Sequence, residues 1–380
     1  MARILWLNWS GGGNLPPSLG IARALTARGH TVSFAGRPEM VRRVEQAGLR
    51  AIEITRAYEQ VDRYPNKYIP RAACYLTSPA VGEQIRAIVA AEAPDLIITD
   101  AMFPAALAEA AQFAGPTVVM CHTAVFRALD RWRQMIAMLV GLRVEAGFAP
   151  LPADLDTLWM ARDRVLASTL ESLDAAPEGL AHIDRLRYVG PCLDIEPHAE
   201  RVVLPWHDDD PMPLVLVSFS TAPEQGSTAK FQSAIDALAD LPVHGVVTVG
   251  DSVDPARLRP AANVVAMATA DHNDLMRRAA LVVTHGGHGT MMRALRNGLP
   301  MIVIPGMAHD QAVNAAAVQA WGAGRALAGD ASAATMRQAV QQVLQSPAYR
   351  DAARSVSHRL SGIDGAANAA GEIDDLLQGR

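Results

Sequence analysis

Cysteine is scarce in this chain: Cys74, Cys121 and Cys192 are its only three, scattered and without a CxxC or other ligand spacing. That excludes a disulfide framework and a thiolate metal centre, and a reducing, cytoplasmic setting is expected. Long apolar runs are missing as well. None reaches membrane-spanning length, and a first strand starting near Arg3 leaves no room for a signal peptide. Basic clusters are lacking too. With 34 Lys and Arg against 39 Asp and Glu, the net charge of −5 speaks against nucleic acid as a partner. The predicted cleft loops carry no Asp-x-Asp pair to hold a divalent cation, so neither metal nor cofactor is expected. A GxGxxG fingerprint also fails: nothing follows Gly13 at the needed spacing, and no acidic residue ends the second strand.

What is present is one pattern used twice. At 380 residues, half of them hydrophobic and 19% charged, the chain suits two domains, each with its own core. Ile4–Trp9 reads as a strand, Ser10 to Pro17 as a glycine- and proline-rich loop, Ser18–Arg28 as a helix and Thr31–Ala35 as the next strand. This is a βαβ opening, with Gly29-His30 closing the helix and His30 in a structural role. Helix Pro38–Ala47 and strand Leu49–Ile54 follow. Next come an irregular stretch Thr55–Thr77, helix Pro79–Ala91, strand Asp95–Thr99, helix Pro104–Phe113 and strand Thr117–Cys121. These strands deliver Asp100 and His122 to the same sheet edge. The irregular stretch holds Tyr58, Tyr64, Tyr68 and Tyr75, which either pack the loop down or line a site for an aromatic or polycyclic small molecule. Arg127–Leu142 and Leu155–Val165 read as amphipathic helices, a lid or side wall. Glu196–Pro213, rich in proline and acid, reads as an exposed linker, its Asp208-Asp209-Asp210 run a solvated hinge rather than a metal site. The alternation then restarts with strand Leu214–Ser218, a helix over Ser227–Asp240, and strands Gly245–Val249 and Val264–Ala266.

The most informative stretch is Leu281–Gln311. Leu281–Thr284 is a β-branched run suited to a strand buried on both faces. His285-Gly286-Gly287 breaks it, Gly289-Thr290 opens a helix, and Gly298-Leu299-Pro300 closes that helix before the strand Met301–Ile304. Such a turn aims backbone N–H groups and a positive helix end at one point beyond the strand, an anion site suited to phosphate. Gly286, Gly287 and Gly289 let backbone approach a ligand, Thr290 can cap the helix and donate its hydroxyl, and His285 can donate to phosphate. Asp310-Gln311 follows the next strand on the same edge, where polar side chains suit hydroxyl groups.

This stretch resembles the donor-binding motif of the bacterial family 1, UDP-glycosyltransferase-like enzymes of the GT-B fold. The matching residues are His285-Gly286-Gly287-His288-Gly289-Thr290, Gly298-Leu299-Pro300, Pro305 and Asp310-Gln311. The opening resembles the same enzymes at Gly13, Pro17, Leu19, Ala22, Leu25, Arg28, Gly29 and His30, as does Arg187-Tyr188-Val189-Gly190-Pro191 at the end of the first domain. The resemblance implies two doubly wound, Rossmann-like α/β domains facing across a cleft. Residues 1–196 would bind the acceptor, 197–213 would link, and 214–380 would bind the nucleotide sugar, with the last helix crossing back. It implies that Gly287, His288, Gly289 and Thr290 hold a diphosphate and that Asp310 and Gln311 hold the sugar. Thr221 would lie near the phosphate, and His272 near the base. Many members place a Glu on the ribose where this chain has Arg293, and users of dTDP-deoxysugars often lack it. The donor expected is therefore a dTDP- or UDP-sugar. The acceptor expected is a small hydrophobic or aromatic natural product near Gly13, Tyr64, Tyr68 and Tyr75. A homodimer is the candidate assembly.

After Gly13 the family usually carries a catalytic His; here stands Asn14, which cannot take a proton at neutral pH. It either orients an acceptor hydroxyl or caps the helix. Asp100, within Asp100-Ala101-Met102-Phe103, matches the family's Asp that partners that His. An inverting transferase would then draw its base from Asp100 or His122. Beside it stand a glycolipid transferase or sugar-nucleotide epimerase on the same fold, and an inactive auxiliary partner of an active transferase.

Overall fold

Short β-branched runs with no polar alternation become strands buried on both faces in each half of the chain. The computed structural model describes residues 1–9, 12–64, 71–152, 154, 156–193, 201–207, 209–219, 227–306 and 310–379. It contains two units, one of residues 1–194 with 364–380 and one of residues 195–363. No helix among the described residues is long and apolar enough to cross a membrane.

The first unit runs β1 (Arg3–Leu7), α1 (Leu15–Ala27), β2 (Thr31–Gly36), α2 (Pro38–Gln46), β3 (Arg50–Glu53), α3 (Arg71–Thr77), α4 (Pro79–Glu92), β4 (Leu96–Asp100), α5 (Pro104–Ala110), β5 (Thr117–Cys121), α6 (Leu129–Glu145), β6 (Arg164–Ala167) and β7 (Leu186–Tyr188). Its seven strands are parallel, in the order β3-β2-β1-β4-β5-β6-β7. The chain leaves β1 toward β2 on one side and returns to β4 on the other. Loops after β1 and β4 therefore diverge and leave a crevice, the switch point where open α/β sheets bind ligands. The core beneath is apolar, with Trp6 stacked on Phe34 at 5.3 Å between centroids.

The second unit runs β8 (Leu214–Ser218), α7 (Thr228–Leu238), β9 (His244–Thr248), β10 (Val264–Met267), α8 (His272–Arg278), β11 (Ala279–Thr284), α9 (His288–Arg296), β12 (Met301–Val303), α10 (Gln311–Ala320), β13 (Gly324–Ala326), α11 (Ala333–Gln345) and α12 (Pro347–Leu360). Its six parallel strands are ordered β10-β9-β8-β11-β12-β13, which puts the switch point between β8 and β11. A last helix, α13 (Gly365–Leu377), packs on α1 and adds Ala366, Ala369, Ala370 and Ile373 to the first unit's core. Arg28 and His30 tie it down through Asp374, each at 2.7 Å.

Three local expectations are corrected. The helix expected over Leu155–Val165 is a single turn, Asp156–Met160, followed by β6. Val165, Leu166 and Ala167 are buried beside β5, and strand pairing there outweighs the helical spacing. The stretch Thr55–Thr77 holds 3₁₀ turns at Thr55–Tyr58 and Val61–Arg63 and then α3. The linker is not simply exposed. Val202 donates to Asp274 and accepts from Arg278, and Trp206 stacks on His244 at 4.2 Å, so both residues pack against the second unit.

Candidate active site

At the first switch point four polar side chains are buried in contact. β1 ends before Asn8, which is fully buried. Asn8 Nδ2 donates to Ser18 Oγ at 3.1 Å, and Asn8 Oδ1 accepts from Asn14 Nδ2 at 2.9 Å. Asn14 Nδ2 also donates to Asp100 Oδ2 at 2.7 Å. Met102 N donates to Asp100 Oδ1 at 2.8 Å, and His122 Nδ1 lies 3.4 Å from Asp100 Oδ2. One carboxylate, 2% exposed, is thus shared between Asn14 and His122. Asn14 precedes α1 but makes no side-chain cap bond, which removes the capping alternative. Its Oδ1 is buried with no hydrogen-bond partner among the described residues. A Cβ at Gly13 would meet nothing within 4 Å, so packing does not demand glycine there.

Two residues that hold this cluster were not legible in advance. Asp174 is buried beyond β6 and accepts from the backbone N–H groups of Val125, Phe126 and Arg127, which fixes the segment following His122. Trp159 Nε1 donates to Ala101 O at 2.7 Å and pins the segment following Asp100. Their partners are dozens of residues away in the chain, and no local pattern marks them.

Two of the tyrosines expected near an acceptor, Tyr64 and Tyr75, are buried. Tyr75 is fully buried and stacks on Phe103 at 4.9 Å. Tyr64 is buried too, its hydroxyl 3.0 Å from Thr77 Oγ1 and its ring against Phe148. Both pack their loop inward, the alternative left open above. Tyr68 and Thr221 lie outside the described residues.

The second switch point carries the glycine turn. Gly286 has φ +89°, a conformation that favours glycine, and a Cβ there would come within 2.8 Å of Val303. A Cβ on Gly287 would lie 2.7 Å from His285 Nε2, so the imidazole folds directly over that residue. At Gly289 a Cβ would meet nothing within 4 Å, so the backbone there faces open space. The helix opens earlier than expected. Gly287 is the N-cap of α9, which places His288 in its first turn, buried, and Thr290 inside that turn rather than at the cap. The reason is the extended backbone of Gly287 (φ −61°, ψ 133°), which already turns His288 into the helix.

Burial lowers the His285 imidazole to about 4; the Lys230 charge adds to this, while Asp310 and the Ser218 backbone oppose it. The ring is therefore neutral near pH 7, and its Nδ1 is buried with no partner among the described residues. Burial, then Arg293, likewise lowers His272 to about 4 against Asp271, and His272 Nε2 lies 3.0 Å from Thr248 Oγ1 at the end of β9. Asn314 on α10 is a further residue not foreseen. Its Nδ2 donates to Gly286 O at 2.8 Å and clamps the turn. Gln311 is buried and accepts from Gly306 N at 2.6 Å, so its side-chain oxygen shapes the loop after β12. Asp310 stands at the N-cap of α10 without a side-chain cap bond, within electrostatic reach of His285.

Comparison with known proteins follows the same division. The family described as "Erythromycin biosynthesis protein CIII-like, C-terminal domain" matches residues 232–363, and Glycosyltransferase Family 4 matches residues 19–151. The NDP-glycosyltransferase YjiC of Bacillus subtilis (strain 168) is 24% identical over 96% of this chain and 95% of that protein. The demethyllactenocin mycarosyltransferase of Streptomyces fradiae is 25% identical over 99% of this chain and 87% of its own. Among solved structures, the calicheamicin glycosyltransferase CalG4 superposes with a TM-score of 0.78 at 23% identity, covering 100% of this chain and 98% of that one. The glycosyltransferase VinC, solved in complex with dTDP, has a TM-score of 0.72 at 20% identity, covering 100% of both chains.

Proposed function

We propose that this chain, a glycosyltransferase of the natural-product, family 1 type with the GT-B fold, moves a sugar from a dTDP- or UDP-sugar to a small-molecule acceptor with inversion at the anomeric carbon. The observation that carries the reading is the turn at Gly286–Thr290. It lies at a switch point, is clamped by Asn314, presents a neutral His285 and faces open space at Gly289. That is the chemistry of a diphosphate site, with backbone N–H groups and a helix end receiving the charge. Asp310 selects the sugar. The dTDP bound to the structurally similar VinC supports the nucleotide diphosphate.

In this mechanism the acceptor hydroxyl oxygen attacks the anomeric carbon from the face opposite the diphosphate. Its proton passes to His122, the bond between the anomeric carbon and the diphosphate oxygen breaks, and the electron pair leaves with the diphosphate. His122 suits the base role, because an imidazole has an ordinary pKa of about 6.5 against about 3.9 for an aspartic acid. Its Nδ1 faces Asp100, which directs the incoming proton to Nε2 and lets the carboxylate stabilise the imidazolium. Asn14 positions: its amide nitrogen donates to Asn8 and to Asp100, which holds the carboxylate beside His122. No metal takes part, so EDTA leaves turnover intact.

The test is His122→Ala assayed with two acceptors. On an aliphatic alcohol kcat falls by at least roughly a hundredfold, in the range of general base catalysis. On an acidic phenol, which needs little base, the fall is far smaller. Equal and unchanged rates on both acceptors would remove His122 from the mechanism.

A further inference from the structure

Only two of the 34 basic residues in this chain are lysines, Lys67 and Lys230. Among the described residues, arginine supplies the cation of the ion pairs that involve neither histidine nor a terminus. Lys230 is placed quite differently. It stands in the first turn of α7, the helix that follows β8, and its stem turns toward the second switch point. Its Nζ donates to Ile304 O at 2.9 Å, just past β12, and lies 4.6 Å from the centroid of the Phe219 ring, just past β8. No carboxylate pairs with it among the described residues, and its two other N–H groups have no acceptor there. Burial alone lowers its ammonium to about 8, with no opposing acidic neighbour among the described residues. A part-buried cation without a counter-charge is costly unless an anion arrives.

The surroundings say which anion. Lys230 acts electrostatically on His285, at the root of the glycine turn. Phe219 and Ile304 flank it from the strand ends on either side of that turn. We propose that Lys230 is a donor-site residue whose ammonium pairs with the diphosphate of the nucleotide sugar and holds the charge that develops on the departing nucleoside diphosphate. This rests on the donor reading given above and adds a cation to a site otherwise built of neutral donors. A compact ammonium with one bond to a fixed carbonyl is aimed and still has protons for two phosphate oxygens. Among the described residues, the titratable groups on this side are the neutral His285 and, beyond it, Asp310; Arg337, from α11 packed on α7, is bound to the far end of α7 at Asp236 and Ala237.

The experiment measures affinity for dTDP, UDP, thymidine and uridine by calorimetry at several pH values, with wild type, Lys230→Met and Lys230→Arg. For wild type, diphosphate affinity should fall as pH rises through about 8, where the free ammonium loses its proton. His285, already neutral far below that range, contributes nothing to this slope. Lys230→Met should bind the better diphosphate about tenfold to a hundredfold more weakly, with no slope near pH 8, and its nucleoside unchanged. Lys230→Arg should keep most of the affinity and lose the slope, which also guards against a Met variant that is merely misfolded. If Lys230→Met binds diphosphate like wild type, or loses nucleoside and diphosphate affinity alike, the lysine is only a tie between α7 and β12. If wild type binds neither dTDP nor UDP, the donor reading itself falls and takes the lysine's role with it.

Discussion

Replacing Asp100 by Asn changes one atom at the junction of the first site. The carboxylate accepts from Asn14 at 2.7 Å and Met102 at 2.8 Å, and faces His122 at 3.4 Å. An amide in its place can offer an oxygen to only one side. Its NH₂ must then face either the Asn14 amide nitrogen or the Met102 N–H, and a buried donor goes unsatisfied. Such a mismatch costs about 1–3 kcal/mol of stability, a visible but tolerable drop in Tm. The loss for catalysis is separate. A hydrogen bond to a charged group contributes about 1.5–3 kcal/mol, and in the proposed mechanism the His122 imidazolium would lose that partner. The corresponding fall in kcat is roughly tenfold to a hundredfold on an aliphatic alcohol acceptor, and less on a phenol that ionises easily. The assay is initial-rate release of nucleoside diphosphate with both acceptors, beside a thermal melt. An Asp100→Asn protein that melts lower but keeps wild-type kcat on the aliphatic acceptor would show that Asp100 is only structural, and the reasoning from this cluster would be refuted.

Other substitutions probe the donor side and the fold. Asp310→Ala should raise the donor KM or lower kcat by roughly tenfold, with the melt unchanged, because a hydrogen bond to a sugar hydroxyl is lost; unchanged kinetics on every donor would remove Asp310 from the site. Gly287→Ala keeps an allowed backbone but drives a methyl against His285 Nε2, so dTDP or UDP affinity should fall by about tenfold. Wild-type affinity there would mean that the His285 ring is not held in place for phosphate. Burial by itself raises Asp374, but the bonds from Arg28 and His30 outweigh this and hold its carboxyl below the usual range. Its contribution is therefore present above the unfolded value of about 3.9 and is lost as pH falls through the folded value. Wild type and Asp374→Asn should differ by about 1 kcal/mol or less at pH 7 and converge in acid. A gap that persists unchanged at pH 2 would contradict that assignment.

Much of the fold was legible in the chain because buried parallel strands announce themselves. Runs such as Leu96–Thr99 and Leu281–Thr284 carry no alternation, and the glycines and prolines between them mark where each helix stops. The same reading carried Asp100, His122 and the glycine turn to sheet edges, since a residue following a parallel strand has no other place to go. It failed where tertiary contact overruled local pattern. The stretch Leu155–Val165 has spacing that suits a helix, but its end enters a strand that pairs with β5. Tyr75 could line a loop or fill a core, and only the position of Phe103 decided it. Asn14 could be recognised as unable to act as a base, but not as the amide that orients Asp100, which lies 86 residues further along. Lys230, Asp174 and Asn314 belong to the same class: ordinary residues in sequence, given their roles by the strand order.

In the proposed reaction a nucleotide sugar is consumed in the presence of a small acceptor. The direct measurement incubates the protein with dTDP- and UDP-sugars and a panel of aromatic and macrocyclic alcohols, following nucleoside diphosphate release and the anomeric proton of the product by NMR. The prediction is acceptor-dependent release of one nucleoside diphosphate, persisting in EDTA, with a product of inverted anomeric configuration. Release with retained configuration would contradict the mechanism, and no glycosylated product from any donor would contradict the function itself.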